Sequence, residues 1–273
     1  MKSRLELRRH GAVAVDMQQG DPMSLRDSGR RAVNALAGLL GARVVSAHWG
    51  PRGVFDTLGR ARSQGFDPAL ILDIGASNGQ WTRQCREIFG AARFVLVDPL
   101  ERNREPLRAL ARADGRVEVW HGAVGERTGS LDIFDHGDQS SALRSSEFSG
   151  PAVSVEVRTV DTVFEAAGSP SPVLLKADVQ GYELEVLRGA SICLKSTEVL
   201  VLEVSYRQMY EHSALAHEII AYVGERGFRI YDICSYLQRP ADRELVQSDI
   251  VFVHETSRLF AYQGWNRPGS AGA

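Results

Sequence analysis

The chain has few of the residues that build disulfide or zinc frameworks. Its 273 residues include three cysteines, Cys85, Cys193 and Cys234, which lie far apart and each among apolar residues. An odd number of scattered cysteines does not fit a disulfide scaffold or a zinc site built on CxxC spacing. We therefore expect reduced, buried thiols in a cytoplasmic protein.

Long apolar runs and an excess of basic charge are also missing. No stretch approaches the roughly 20 apolar residues that span a bilayer, and the run at residues 12–15 is too short for a secretory core. The 32 Lys and Arg residues face 34 Asp and Glu, so a nucleic-acid partner is not favoured. The 44% hydrophobic and 24% charged residues are typical of a globular protein.

Apolar runs and helical spacings alternate from residue 69 onward. Trp81, Cys85, Ile88 and Phe89 share one helix face between the first two runs, and Pro106 is expected to begin the next helix. This rhythm predicts a doubly wound α/β fold with a mostly parallel sheet. The last two runs have no helix between them, which predicts an antiparallel final pair. The predicted strands are residues 70–72, 94–97, 117–120, 173–177, 199–202, 228–231 and 250–253.

The chain divides into three predicted regions. Residues 1–66 form a partly helical N-terminal extension, with one helix near residues 33–40 and another over residues 53–63. Residues 67–257 form the main domain, in which residues 125–161 are an inserted hairpin and lid. Residues 258–273 are a tail. The apolar residues Val44, Val45 and Trp49 leave a homodimer contact open.

A glycine loop, D-I-G-A-S-N-G at residues 73–79, follows the first strand. It lacks the G-x-G-x-x-G spacing of nicotinamide-dependent oxidoreductases. Asp73 would repel a diphosphate but suits a cation, such as the α-ammonium of a methionine-type ligand. Asp98, followed by Pro99, ends the second strand, where an acid can bind ribose hydroxyls. The alternative is that Asp73 caps a helix and the glycines only turn the chain.

Three other segments are candidates for the same site. Ala123 and Val124 follow the third strand and can line an adenine, or simply lead into a turn. Residues 139–143 are a candidate lid containing Ser141, or else an ordinary connector. Lys176 interrupts an apolar strand, either facing a cleft or pairing with an acid.

Two acids, Asp178 and Glu203, follow the fourth and fifth strands and point to the chemistry. If these strands are neighbours, both carboxylates lie together at the carboxyl ends of the strands, where ligands bind. Asp178 can accept the proton of a hydroxyl nucleophile, or both acids can hold Mg²⁺. His136, in the inserted region, and His254 are alternative bases. Asp249 is expected to be a turn residue at the start of the last strand.

These segments resemble the FkbM family of S-adenosylmethionine-dependent O-methyltransferases. The family has a D-x-G-A-N-x-G-type loop, an acid followed by proline after the second strand, and a later L-K-x-D-V-E-G-x-E motif. The corresponding residues are 73–79, Asp98-Pro99, and L-K-A-D-V-Q-G-Y-E at residues 175–183, followed by V-L-R-G-A. The resemblance covers residues 69–253. Ser77 and Gln180 depart from the usual Asn and Glu.

The resemblance implies a Rossmann-like class I methyltransferase sheet that binds S-adenosylmethionine and releases S-adenosylhomocysteine. The implied acceptor is a hydroxyl of a sugar, polyketide or related natural product, and Mg²⁺ is an open alternative. A different hypothesis is a catalytically silent methyltransferase fold that binds a partner. The candidate catalytic residues are Asp178, Glu203 and His136. The candidate cofactor-binding residues are Asp73, Gly75, Ser77, Asn78, Gly79, Asp98, Pro99, Ala123, Val124 and Ser141.

Overall fold

The computed structural model describes residues 12–14, 43–45, 53–145 and 150–261. The chain divides into two compact units, residues 1–52 and residues 53–273. In the first unit, strand β1 (Ala12–Ala14) pairs in parallel with strand β2 (Arg43–Val45). The helix expected near residues 33–40, Trp49 and most of the tail lie outside the described residues. The homodimer contact stays a prediction.

The second unit contains the remaining strands and helices. The strands are β3 (Leu70–Ile74), β4 (Arg93–Val97), β5 (Val117–Trp120), β6 (Ala123–Val124), β7 (Gly129–Phe134), β8 (Ala152–Arg158), β9 (Val173–Ala177), β10 (Thr197–Ser205), β11 (Phe228–Ile233), β12 (Leu237–Gln238) and β13 (Leu245–His254). The helices are α1 (Val54–Ser63), α2 (Gln80–Ile88), α3 (Glu101–Ala113), α4 (Val160–Ala166), α5 (Glu183–Arg188) and α6 (Ala216–Gly224).

The central sheet is mostly parallel, as the apolar runs predicted. Its strands lie in the order β11-β13-β10-β9-β3-β4-β5, and β12 pairs with β13. Strands β10, β9, β3, β4 and β5 are mutually parallel. Strand β13 runs antiparallel to both β10 and β11, which confirms the antiparallel final pair.

Helices cover both faces of this sheet. On one face, α1, α2 and α3 pack side chains such as Leu58, Cys85 and Leu107 against the sheet. On the other face, α4, α5 and α6 contribute Phe164, Leu187 and Ile219. Strands β3 and β9 are buried along their whole length. Burial on both faces explains why these strands read as continuous apolar runs, and the doubly wound fold is confirmed.

The predicted inserted hairpin is present beside the main sheet. Strands β7 and β8 pair in antiparallel fashion, and β6 joins β8 in parallel. A short 3₁₀ helix, Gly137–Gln139, lies in the connection between β7 and β8. This hairpin and its connection lie next to the carboxyl ends of β3 and β4, where the residues of the candidate site meet.

Two local predictions are wrong. Helix α3 begins at Glu101, so Pro106 lies inside it. The helix starts early because Asp98 Oδ1 accepts hydrogen bonds from Leu100 N and Asn103 Nδ2, directly after the strand. Asp249 is not a turn residue but lies within β13, opposite Glu203 of β10. The polar residues before it extend the strand because they pair with β10 and β12.

The prediction of buried thiols agrees with the structure. Cys85, Cys193 and Cys234 are buried free thiols. Among the described residues, the helices are all too short or too polar to cross a membrane.

Candidate cofactor and acceptor site

A cavity of about 330 Å³ opens at the carboxyl ends of β3, β4 and β9. This edge of a parallel sheet is where ligands bind in open α/β folds, and the volume falls in the range of small-molecule sites. Among the predicted cofactor residues, those that line the cavity are Gly75, Ser77, Asp98, Pro99, Ala123, Val124 and Ser141. Asp178 and Gln180 line it from the side of β9.

The glycine loop after β3 requires glycine at two positions. Gly75 has φ +74°, and a Cβ there would lie 1.9 Å from the carbonyl oxygen of Asp178. Gly79 has φ +79°, and a Cβ there would lie 2.4 Å from Leu110 Cδ1. The positive φ favours glycine at both positions, and at Gly75 the contact with a backbone oxygen leaves no room for a Cβ. The loop therefore lies directly against the segment that carries Asp178.

Asp98 links the glycine loop to the start of α3. Its Oδ2 accepts a hydrogen bond from Ser77 N at 2.8 Å, while Oδ1 accepts from Leu100 N at 3.0 Å and from Asn103 Nδ2 at 2.9 Å. Burial raises the pKa of this carboxyl, and the three hydrogen bonds oppose that shift. A carboxylate has about four acceptor sites, so Asp98 keeps capacity for a ligand hydroxyl.

Asp73 is buried below the glycine loop. Its Oδ2 accepts a hydrogen bond from Thr82 Oγ1 of α2 at 2.5 Å, and its Oδ1 lies 3.2 Å from Lys176 Nζ. The side chain is fully buried and is not one of the cavity-lining residues. These contacts tie β3, α2 and β9 together.

Lys176 pairs with acids, which was one of its two predicted roles. Its ammonium donates to Gly75 O at 2.7 Å and lies 3.7 Å from Asp178 Oδ2. Burial alone would lower the pKa of Lys176, but the carboxylates of Asp73 and Asp178 outweigh it and the net shift is upward. Lys176 therefore stays charged and holds the glycine loop and Asp178 together.

Asp178 and Glu203 are joined through the amide of Gln180. Gln180 Nε2 donates to Asp178 Oδ1 at 3.0 Å and to Glu203 Oε2 at 2.9 Å. Gln247 Nε2 donates to the same oxygen of Glu203 at 3.0 Å. Tyr210 donates its hydroxyl to Gln180 Oε1 at 3.1 Å. Asp178 reaches the cavity, whereas Glu203 is not one of the lining residues.

Three acids, of which Glu183 is buried and Glu203 and Asp249 are half-buried, lie at or near this bridge. Burial raises the pKa of Glu203 well above its ordinary value, and the nearby Asp178 carboxylate raises it further. Burial also raises the pKa of Asp249, on the facing strand. The third acid, Glu183, has its pKa raised to about 7 by burial, against hydrogen bonds from Val179 N and Gly181 N that lower it. Those two bonds, at 2.9 and 3.2 Å, fix the loop after Asp178.

The connection between β7 and β8 closes one side of the cavity. Ser141 Oγ donates to Gln180 O at 2.7 Å, and the hydroxyl oxygen of Tyr210 lies 3.1 Å from Gln139 O. From the other side, Arg102 of α3 pairs with Asp135 and donates to Ser140 Oγ at 3.2 Å. The predicted lid residues therefore contact both walls of the cavity.

The remaining predicted residues lie farther from the cavity. Asn78 Oδ1 accepts from Gln80 N at 3.0 Å, at the start of α2, and Gly79 is the residue before that helix. His136 is exposed, although the next residue, Gly137, lines the cavity. His254 is the last residue of β13, which runs antiparallel to β10, and it pairs with Phe228, the first residue of β11. It therefore lies at the end of the sheet opposite to the cavity.

The sequence analysis did not identify Asn103 as a site residue, and it noted Gln180 only as a departure from the family motif. The contact of Gln180 with Glu203 depends on the pairing of β9 with β10, which no local pattern marks. Within the part of the chain that the structure describes, His, Cys, Asp and Glu side chains do not form a group of three or more arranged to hold a metal ion.

A family model described as the methyltransferase FkbM domain matches residues 73–230. The chain belongs to the FkbM methyltransferase family. The match contains the glycine loop, Asp98, the lid and the segment from Lys176 to Glu203. It ends within β11, so β13 and the first unit lie outside it.

Two known proteins are similar to parts of this chain. The 2-O-methyltransferase NoeI of Sinorhizobium fredii (strain NBRC 101917 / NGR234) is 28% identical over 163 residues, which are 53% of this chain and 66% of that protein. The chain thus covers just under two thirds of that relative. The crystal structure of an FkbM methyltransferase from Methylobacillus flagellatus KT is 18% identical, with a TM-score of 0.48 over 73% of this chain and 48% of that one.

Proposed function

We propose that this protein is an S-adenosylmethionine-dependent O-methyltransferase whose acceptor is a hydroxyl of a sugar, polyketide or related natural product. The observation that carries the proposal is that the glycine loop, Asp98 and Asp178 all line one cavity. Membership of the FkbM methyltransferase family supports methyl transfer. The description of the S. fredii relative as a 2-O-methyltransferase supports oxygen as the accepting atom.

The cavity residues fit such a cofactor. Asp98 presents a buried carboxylate with spare acceptor capacity, which suits ribose hydroxyls. The aliphatic side chains of Leu100, Leu131 and Ile133 give an apolar wall suited to a purine. Asp178 and the loop carbonyls held by Lys176 suit a cationic ligand. When bound, S-adenosylmethionine supplies an electrophilic methyl group on a sulfonium whose leaving group is neutral.

Asp178 is the proposed general base. It lines the cavity, its side chain is 37% exposed, and Lys176 lies 3.7 Å from its Oδ2. A carboxylate in this position can accept the proton of an alcohol during transfer. Glu203 is joined to Asp178 through the Gln180 amide. Its proposed role is to hold that amide in place and, through it, the carboxylate of Asp178. His136 is retained as a weaker candidate because its loop borders the cavity.

The proposed reaction does not require Mg²⁺. The Gln180 amide lies between the two carboxylates that were the candidate ligands, and it donates to both. A cation between them would have to displace that amide. The amide thus supports proton transfer to Asp178 rather than a metal bridge between Asp178 and Glu203.

Calorimetric binding of S-adenosylhomocysteine to the full chain tests the cofactor assignment. We expect micromolar binding by the parent protein and at least tenfold weaker binding by Asp98→Ala, because the variant loses a carboxylate acceptor in a desolvated site. Asp132→Ala is the matched control, since Asp132 is an exposed residue of β7.

The outcomes separate the hypotheses. Weak binding by Asp98→Ala with normal binding by Asp132→Ala supports the proposed site. Equal affinity in Asp98→Ala and the parent would remove Asp98 from it. No binding by the parent would favour the catalytically silent fold that binds a partner, and the search would then turn to protein ligands.

A further inference from the structure

Gln180 has an unusual backbone conformation at the centre of the site. Its φ is +56°, a left-handed region that is strained for a residue other than glycine. Ser141 Oγ donates to its carbonyl oxygen at 2.7 Å and thus holds the conformation from the lid. Strained residues persist where the surrounding structure fixes them, and they cluster at functional sites.

Both ends of the Gln180 amide have defined partners. The nitrogen donates one hydrogen to Asp178 and one to Glu203. The oxygen accepts from the hydroxyl of Tyr210. Since carboxylates accept and a tyrosine hydroxyl can donate, this orientation satisfies every group, whereas the flipped amide would place its oxygen against two acids.

The bridge offsets part of an electrostatic conflict, since the Asp178 carboxylate still raises the pKa of Glu203. Two carboxylates close together repel each other, and a hydrogen-bond donor or a cation between them reduces that repulsion. Proteins often use a divalent cation with oxygen ligands for this purpose. Here the amide supplies two N–H donors to Asp178 and Glu203 without a net charge.

The sequence makes position 180 informative. The FkbM motif that this chain resembles has glutamate where this chain has glutamine. A glutamate in the same conformation would place a third carboxylate against Asp178 and Glu203. That arrangement would need a proton or a cation to be stable.

We infer, on the basis of the proposed function, that Gln180 is a positioning residue whose amide takes the place of a cation between Asp178 and Glu203. It thereby holds the carboxylate of Asp178 at the cavity wall. Gln180→Glu should therefore create a site for a divalent cation at these three side chains.

The test compares three full-length proteins: the parent, Gln180→Glu, and the double variant Gln180→Glu with Glu203→Gln. The double variant restores two carboxylates and one amide in exchanged positions, so it is matched to the parent in charge. Each protein is titrated with MnCl₂ by calorimetry and melted with and without millimolar Mn²⁺. S-adenosylhomocysteine binding is measured separately on each.

We expect Gln180→Glu to melt below the parent without metal, to bind Mn²⁺ at least tenfold more tightly than the parent, and to gain melting temperature from it. The double variant should lose that gain. Unchanged Mn²⁺ affinity in a folded Gln180→Glu protein would overturn the inference. If Gln180→Glu is unfolded without metal, recovery of the folded state by Mn²⁺ supports the inference, and failure to recover overturns it.

Different measurements test the proposed function and the role of Gln180. A parent protein that does not bind S-adenosylhomocysteine contradicts the proposed function, whether or not any of the three proteins binds Mn²⁺. The Mn²⁺ titrations judge the Gln180 bridge without any acceptor, because they depend on the three side chains and not on turnover.

Discussion

Lys176 joins the proposed cofactor side of the cavity to the proposed acceptor side. It is 5% exposed, and its ammonium contacts the Asp73 carboxylate, the Gly75 carbonyl and the Asp178 carboxylate. Asp73 is fully buried. Removing the ammonium therefore leaves a carboxylate in the core without its cation. Such an uncompensated buried charge typically costs about 3–5 kcal/mol.

We predict that Lys176→Met lowers the free energy of unfolding by roughly 3 kcal/mol or more. Urea denaturation followed by circular dichroism measures the loss. Lys195→Met is the matched control, because Lys195 is exposed and its substitution should change stability by less than about 0.5 kcal/mol. Similar losses in the two variants would mean that the Lys176 contacts contribute little to stability.

Individual site residues differ in how visible they are in the sequence. Asp98 could be placed at a strand end because an acid and a proline directly follow an apolar run. For Lys176 the sequence left two roles open, because its partners Asp73 and Gly75 lie about 100 positions away and depend on the register of β3 against β9. The functions of Asp98 and Asp178 stay predictions until binding is measured.

At the scale of elements, glycine has opposite effects in helix α1 and in the loop after β3. Gly59 lies within α1, and a Cβ there would meet nothing within 4 Å. Gly75 combines a positive φ with a carbonyl 1.9 Å from the added Cβ. The first glycine weakens its helix, whereas the second is required by its loop.

Gly59→Ala is expected to stabilise the protein by about 0.5–1 kcal/mol, because alanine has the higher helix propensity. Gly75→Ala is expected to destabilise it by roughly 3 kcal/mol, through backbone strain and a steric clash. Thermal unfolding of both variants tests the contrast. A stable Gly75→Ala protein that still binds S-adenosylhomocysteine would show that the loop tolerates another conformation.

The sequence predicted the position of a strand best where the strand is a clear run of apolar residues. Strands β3, β4 and β9 are continuous apolar runs and were found at their predicted places. Strand β6 has two residues, too few to show any period. The insertion of β13 between β10 and β11 depends on long-range pairing, which the local sequence does not encode.

At the scale of the whole molecule, buried acids give stability a definite pH dependence. Glu183 has an ordinary pKa of 4.5 and a folded pKa of about 7 because of burial. Between these values the folded chain binds a proton that the unfolded chain releases, so stability from Glu183 falls as pH rises. The raised pKa values of Glu203, Asp98 and Asp249 act in the same direction.

We predict that the free energy of unfolding decreases between pH 5 and pH 7.5, with Glu183 contributing roughly 3 kcal/mol at most. Glu183→Gln keeps an oxygen acceptor for Val179 N and Gly181 N but cannot ionise, so it should reduce the slope and be the more stable protein at pH 7.5. Urea unfolding across this range measures both. Glu165→Gln, at an exposed position of α4, is the control, and identical slopes for Glu183→Gln and the parent would contradict the prediction.

The position of β13 also governs the order in which the molecule can be completed during synthesis. Strands β10 and β11 leave the ribosome before β13 does, yet neither touches the other in the finished sheet. Until β13 emerges, each therefore presents an open edge of backbone donors and acceptors. A chain that stopped before residue 245 would leave β10 with one unpaired edge and β11 with no strand beside it, and unpaired edges favour aggregation.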